Sequence, residues 1–322
     1  MTESNKYDRT TAVTPGSEFR RVDGSAVATL EEYYAHVINA PADLSPLAMA
    51  AWSRILDLRF MVESGILYVF ANVRGSIVLW GPPIGARLTL GALERGFWWL
   101  RLLNGSVERV VIKYAWDDYP LWRVIEEHPK CQISRQGTEY LYSTEEIAAL
   151  SGGRFRKKRY QRDRFIRSYN AVVSPYLPRM MDQCLELLEL WANEKRARIA
   201  DEHLHKLDIE SEACAHALRS RLPISGVVAL TKDRIIGFSV GSASHDGVFN
   251  CIFEKTDPSM DGSEPCVFSG LAMACRGVCS RINAGEDWSI PYLAEAKRSW
   301  HPIAIRHTYS INRYFDRCER PK

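Results

Sequence analysis

ISGVVALTKDRIIGFSVGSASHDGVFNCIFEK, residues 224–255, holds three apolar runs of strand length. The runs ISGVVALTK (224–232), IIGFSVGSA (235–243) and VFNCIFEK (248–255) are rich in Val, Ile and Phe. The short polar segments between them are of hairpin length, so the stretch reads as an antiparallel meander. Gly226, Gly237 and Gly241 punctuate it, as glycines do at bulges and close backbone approaches. Upstream, apolar periodicity predicts helices near 155–168, over 179–196 and near 208–220. Downstream it predicts a helix over 265–282, a shorter one over 290–298 and a last strand near 303–310. Helices, a meander, then a helix and further strands is an α+β order.

The chain has 322 residues, long for one hydrophobic core, so two domains are expected. Residues 29–38 and 86–103 carry helix-period apolar positions, with a short helix at 121–128. Residues 66–73 and 76–80 read as strands around a turn at Arg74 and Gly75, with further strands at 107–115 and 139–143. TEEIAALSGG (144–153) is a short helix stopped by two glycines, which places the boundary there. The expected partition is a disordered arm over 1–24, an N-terminal domain over 25–150 and a C-terminal catalytic domain over 151–322.

Composition is that of a globular protein, with 46% hydrophobic and 25% charged residues and a net charge of +3. Apolar runs such as 224–230 fall far short of the roughly 20 residues that cross a bilayer. The first residues have no apolar signal core, so a cytoplasmic protein is expected. The eight cysteines form no CxxC pair and are expected as free thiols. His203 and His205 form a short HxH, but no metal site is expected. Neither a nucleophile elbow nor a phosphate-binding P-loop is present.

RFRKKRYQRDRFIRSY (154–169) has eight Lys or Arg among sixteen residues and one acid, Asp163. At about 100° per residue, Phe155, Phe165, Ile166 and Tyr169 share a helix sector with Arg159 and Arg162. Arg156, Lys157, Arg164 and Arg167 lie on the other side. Arg159 and Arg162 are therefore expected to reach a polyanion through the domain junction, with Arg154 and Lys158 extending the patch. The competing reading is a solvated helix beside a linker.

The element order resembles the GNAT acyltransferase fold. NAGEDWSIPYLAEAKRSWHP (283–302) is similar to the final motif of the C-terminal catalytic domain of phosphatidylglycerol lysyltransferases and their soluble relatives, with Asn283, Asp287, Leu293, Lys297, Ser299, Trp300 and Pro302 in register. EYLYSTEEIAALSGGRFRKKRY (139–160), Phe165, Trp191, FEKTD (253–257) with Gly262, and LWGPPIG (79–85) resemble further family segments in the same order. The sequence departs from the pattern at Tyr160, Ser289 and Ala294, close to the presumed active site. The resemblance spans roughly residues 40–310. It implies two GNAT-like domains in tandem, a fold shared with Fem-type peptidyltransferases. It also implies transfer of an aminoacyl group from aminoacyl-tRNA to an amine or hydroxyl, without a cofactor. The lipid enzymes carry a membrane domain and none is evident here, so a small-molecule or peptide acceptor is expected; the tandem already pairs two GNAT sheets, so a monomer is expected.

Such a transfer passes through a tetrahedral oxyanion, so it needs a cation or fixed donors and a proton acceptor. The motif register puts Lys297 in the cationic role, with a solvated helix lysine as the alternative. Asp287 is expected to orient or deprotonate the acceptor, or else to cap a turn. Glu254 and Lys255 end a strand where GNAT folds grip the donor; a surface salt bridge is the alternative. Asn283 and Trp300 are expected at the substrate, although Asn-Ala-Gly also reads as a turn. Arg154, Lys158, Arg159 and Arg162 are assigned to the tRNA. The loop TDPSMDGSEP (256–265) has one glycine and three acids, a poor pyrophosphate cradle. An acyl-CoA-dependent N-acyltransferase and a non-catalytic tRNA-binding protein are the rival functions. Trp52, Trp98 and Trp99 are expected in the core.

Overall fold

The computed structural model describes residues 19–316 apart from residues 199, 221 and 233. The first part of the chain runs β1 (Arg20–Arg21), α1 (Val27–Tyr34), a 3₁₀ turn (Ala42–Leu44), α2 (Pro46–Leu56), β2 (Arg59–Glu63), β3 (Ile66–Val73), β4 (Ser76–Leu79), α3 (Leu90–Leu103), β5 (Arg109–Ala115), α4 (Trp122–Glu126), β6 (Cys131–Ser143) and α5 (Thr144–Ala149). The second runs α6 (Arg156–Tyr169), β7 (Val172–Pro175), α7 (Met181–Arg196), α8 (Asp201–Arg219), β8 (Ser225–Leu230), β9 (Ile235–Ala243), β10 (Val248–Thr256), α9 (Ser263–Cys275), β11 (Arg281–Glu286), α10 (Pro291–Arg298) and β12 (Ala304–Tyr314).

Local chemistry sets several boundaries. Ser45, Thr89 and Ser143 each cap a helix, accepting a backbone N–H three residues on at 3.2–3.3 Å. Pro46 and Pro291 occupy first-turn positions, where a missing N–H costs nothing. Asp57, Leu150 and Asn170 close α2, α5 and α6 in the left-handed conformation.

All the strands join one mixed sheet of twelve, in the order β1-β2-β3-β4-β5-β12-β6-β11-β10-β9-β8-β7. The expected meander is β8-β9-β10 and is antiparallel throughout. Two pairs are parallel, β4 with β5 and β10 with β11. At the centre, β12 from the end of the chain pairs with β5, while β6 from the first part pairs with β11. The expected division at residue 150 therefore cuts the sequence but not the sheet, because each part lends its last strand to the other. One apolar core extends across both parts, from Leu30, Phe60 and Phe97 to Leu187, Ala213, Phe238 and Phe253. A second packs α5, α9 and Phe155 against the other face.

Other expectations need correction. Of the arm expected over 1–24, residues 1–18 lie outside the described residues, and Arg20–Arg21 pairs with β2 instead of being disordered. The helix expected over 265–282 ends at Cys275, and β11 follows. Apolar positions continue past Cys275 at Val278, Cys279 and Ile282, so the pattern alone does not mark where the helix ends and β11 begins. Seven of the eight cysteines are described and all seven are free; Cys318 lies outside the described residues. No helix among the described residues is long and apolar enough to cross a membrane.

Gly262 precedes α9 with φ +94°, and a Cβ there would stand 2.7 Å from the Gln161 carbonyl oxygen of α6. Both the backbone conformation and the close approach exclude a side chain. Gly262→Ala is expected to destabilise the fold by about 1–3 kcal/mol. A denaturant titration that gives the wild-type midpoint would refute that reading.

Candidate active site

β10 and β11 pair through Val248–Arg281, Phe249–Ile282 and Asn250–Asn283, and then part. Each strand is irregular at the parting. β10 shifts register between Cys251 and Phe253. The facing residue is Gly241, where a Cβ would stand 1.8 Å from the Asn250 carbonyl oxygen, so the bulge requires glycine. β11 shifts between Asn283 and Glu286, with Gly285 at φ +70°.

A cleft of 580 Å³ opens in the gap. Trp52, Trp191 and Trp288 contribute aromatic wall, so Trp52 is not simply a core residue as expected. Its indole stands 6.3 Å from that of Trp288, centroid to centroid. Lys297, Glu254, Lys255 and Trp300 all line the same cleft.

Lys297 projects from α10 under the bulge. Its ammonium donates to the carbonyls of Ala284 and Gly285, the latter at 3.1 Å. Those carbonyls are free to accept because the bulge lifts them out of the ladder. Burial pulls the Lys297 pKa below that of an ordinary lysine. Glu254, across the gap on β10, has one carboxylate oxygen, Oε2, buried without a hydrogen-bond partner. Its pKa is pushed up to about 8, first by burial and then by the charge of Glu264. Lys255, 2% exposed, donates to the Glu210 carboxylate and lies 3.9 Å above the Trp191 ring. It is a buried ion pair in the wall, not a surface one.

Trp300 is also buried, and its indole N–H donates to Glu264 Oε1 at 2.6 Å. Lys158 of α6 reaches the same group, with Nζ 3.4 Å from Glu264 and 4.3 Å above the Trp300 ring. The other expected residues turn elsewhere. Asn283, 1% exposed, donates to Glu139 Oε2 and accepts the Gly285 N–H, both at 2.9 Å. It therefore shapes the bulge; the Asn-Ala-Gly segment is a strand irregularity, not a free turn. Asp287 accepts from the Tyr140 hydroxyl at 2.7 Å and from the Ser289 N–H at 2.9 Å. Its carboxylate holds the turn in which Trp288 and Ser289 are left-handed.

On α6, Arg159 donates to the carbonyls of Leu150 and Gly152, closing the end of α5. Arg162 bonds Asp163 at 2.8 Å and Arg154 bonds Glu146 at 2.5 Å. Arg159 thus ties α6 to the end of α5, and Arg162 is held by its neighbour Asp163 on the same helix. Among the described residues, Arg156, Lys157 and Arg167 of this helix have no ion-pair partner and face solvent. In the loop before α9, Asp257 pairs with Arg234 at 2.6 Å, and Glu264 is engaged as above.

Sequence reasoning missed two groups. Asp43, from the 3₁₀ turn, and Glu286, from β11, both line the cleft, and Glu139 lies behind them. Burial raises all three; Asp43 is held well above the usual carboxylate range and Glu286 is pushed up to about 7. Glu286 accepts from the Thr308 hydroxyl and fits because residue 137 is glycine, where a Cβ would overlap its carboxylate. Lys195, Arg198 and Lys206 form a basic edge from α7 and α8. Asp43 lies more than 200 residues from the motif at 283–302, so no local pattern joins them. An acidic floor next to a lysine, beneath aromatic walls, suits a ligand with an ammonium group close to a reacting carbonyl.

The family model of the C-terminal domain of phosphatidylglycerol lysyltransferase matches residues 38–312, and the chain belongs to that family. A conserved protein of unknown function from Bacteroides thetaiotaomicron superimposes with a TM-score of 0.80 at 21% identity, over 92% of this chain and 99% of its own. L-PGS from Bacillus licheniformis gives 0.64 at 14%, over 93% and 94%. FemX gives 0.60 at 7%, over 92% and 97%. At these identities the likeness establishes the mixed α/β fold. No curated protein sequence matches the chain.

Glu254 binds its proton more tightly in the folded than in the unfolded chain. Stability therefore falls as pH climbs from the ordinary value of 4.5 to about 8. Glu254→Gln removes this cost. It is expected to raise the melting temperature at pH 9 and to change it far less at pH 5; equal shifts at both would mean that Glu254 is not a buried acid.

Proposed function

We propose that the protein transfers an aminoacyl group from aminoacyl-tRNA to an amine or hydroxyl of a small-molecule or peptide acceptor, with two GNAT-like units in tandem as its frame. Family membership supports the transferase class. The observation that supports the reading is the presence, across the β10–β11 gap from each other, of a carbonyl-held Lys297 and a Glu254 whose Oε2 has no hydrogen-bond partner among the described residues. Such a pair serves an acyl transfer in which negative charge develops on one side and a proton is lost on the other.

In this reading the donor's ammonium lies against Asp43 and Glu286, and its ester carbonyl faces Lys297. The acceptor nitrogen or oxygen attacks the carbonyl carbon, and its proton passes to Glu254. Lys297 meets the oxyanion. As the intermediate collapses, the bond to the ribose oxygen breaks and that oxygen takes up the proton. Lys195, Arg198 and Lys206 meet the phosphates of the donor's terminal nucleotides, and the free cations of α6 meet phosphates further along. Asn283, Asp287 and Lys255 act by holding the bulge, the turn and the wall. The acids before α9 make a poor cradle for the pyrophosphate of an acyl-CoA donor.

The direct test charges total tRNA with each radiolabelled amino acid. Label is then followed into an RNase-resistant product in the presence of the protein and a small-molecule extract of its source cells. Transfer of one amino acid is expected, with Lys297→Ala lowering the rate on the order of 10²–10³-fold. Consumption of acetyl-CoA with no movement of label would replace this reading with acyl-CoA chemistry.

Because Glu254 must be ionised to accept a proton, the rate is expected to rise about tenfold per pH unit below 8 and level off above it. Glu254→Gln should give a slow enzyme without that limb. If the limb survives the substitution, Glu254 is not the base.

Neutralising Arg156, Lys157 and Arg167 together should weaken tRNA binding and flatten its salt dependence by about one log–log unit per lost phosphate contact. Arg159→Ala should instead lower the melting temperature while leaving the salt slope as in the wild type. The reverse pattern would return Arg159 to the tRNA.

A further inference from the structure

A second cavity, of 390 Å³, lies past the ends of β4 and β5. These strands are parallel and share a single registered pair, Leu79–Ile112, so they part much as β10 and β11 do. The strands β5, β12, β6 and β11 are successively antiparallel, so β5 and β11 run in opposite directions. The cavity therefore opens at the sheet edge opposite the cleft.

Its walls are mainly apolar, with Tyr33, Trp116 and Tyr119 as the large rings among aliphatic side chains such as Ile84 and Leu88. The Tyr119 hydroxyl donates to the Pro83 carbonyl at 2.9 Å, which ties together the two loops that leave β4 and β5. Trp116 is 3% exposed, and its indole N–H has no hydrogen-bond partner among the described residues. That N–H is itself shielded from the cavity, so what Trp116 offers an occupant is its ring.

The charges at the rim have one sign apart from His36. Glu32 and Asp118 line the cavity, and no Lys or Arg does. Asp118 accepts from the Asn39 amide at 2.8 Å, and Arg306, bonded to the same Asn39, is near enough to act on it electrostatically. Phosphorylated ligands, CoA and nucleic acid are therefore poor occupants. An ammonium at the rim with an apolar body inside satisfies both the carboxylates and the apolar walls.

We propose that this cavity is a binding site for a small amine with an aromatic body, its ammonium held by Glu32 and Asp118 and its ring seated against Trp116 and Tyr119. The site is separate from the transfer cleft and does not depend on the reaction assigned there.

Calorimetric titration of the intact protein with tyramine tests it, with 4-hydroxyphenylacetate and 4-ethylphenol as the anionic and neutral counterparts. Saturable binding of tyramine is expected, with no binding of the anion and weaker binding of the phenol. Glu32→Gln with Asp118→Asn should weaken tyramine about tenfold or more. Trp116→Phe should weaken it severalfold. Glu32 is exposed, so Glu32→Gln alone serves if the double variant folds poorly. Absence of saturable tyramine binding overturns the proposal. So does binding that survives the rim substitutions, or that is lost in Asp43→Asn instead, which would place the amine in the transfer cleft.

Discussion

The site depends on one backbone irregularity. β11 must stay paired with β6 on one side while leaving β10 on the other, and it does so at Ala284 and Gly285. A regular ladder would commit their carbonyls to strand pairing; the bulge frees them, and both accept from Lys297. The buried ammonium thus gains partners that a solvated lysine would find in water, which offsets part of its desolvation. Asn283 holds the bulge with its side chain, and Asp287 holds the turn after it. The motif residues therefore form one mechanical unit whose output is the placement of a single charge.

The electrostatics of the cleft follow from that placement. Asp43, Glu139, Glu286 and Glu254 are all buried acids shifted upward, and Lys297 lowers each of them in turn. Lys297 does not undo the shift: burial, the largest cause for each acid, still holds Glu254 up at about 8 and Glu286 up at about 7. Positive charge brought close to these carboxylates favours their ionisation, so it makes loss of the Glu254 proton easier, and the effect weakens with distance.

What the sequence revealed tracks how local each feature is. The meander was legible because alternation and turn chemistry operate within 32 residues, 224–255. Lys297, Glu254, Lys255 and Trp300 sit in short motifs at strand and helix ends, and the fold brings them to one cleft. The exchange of β6 and β12 was invisible, because it concerns which strand a segment pairs with and not whether it is a strand. β11, RINAGE, is short and mostly polar, so no apolar strand pattern announces it. Asp43 was hidden for a different reason: an acid in a polar-looking turn reads as solvated until a distant strand buries it.

The basic segment at 154–169 shows why charge counting falls short of function. Helical projection put Arg159 and Arg162 on the inner sector, which is correct as geometry. An inner arginine, however, finds the nearest unsatisfied acceptor before it finds a ligand, and the open carbonyls at the end of α5 supply one. The residues left for a polyanion are those that projection set aside, Arg156, Lys157 and Arg167. Lys158 lies between the two groups: it belongs to the surface helix, yet its ammonium rests on Glu264 and Trp300 at the cleft wall. Through that one side chain the surface helix is joined to Glu264, the acid whose charge helps to raise Glu254.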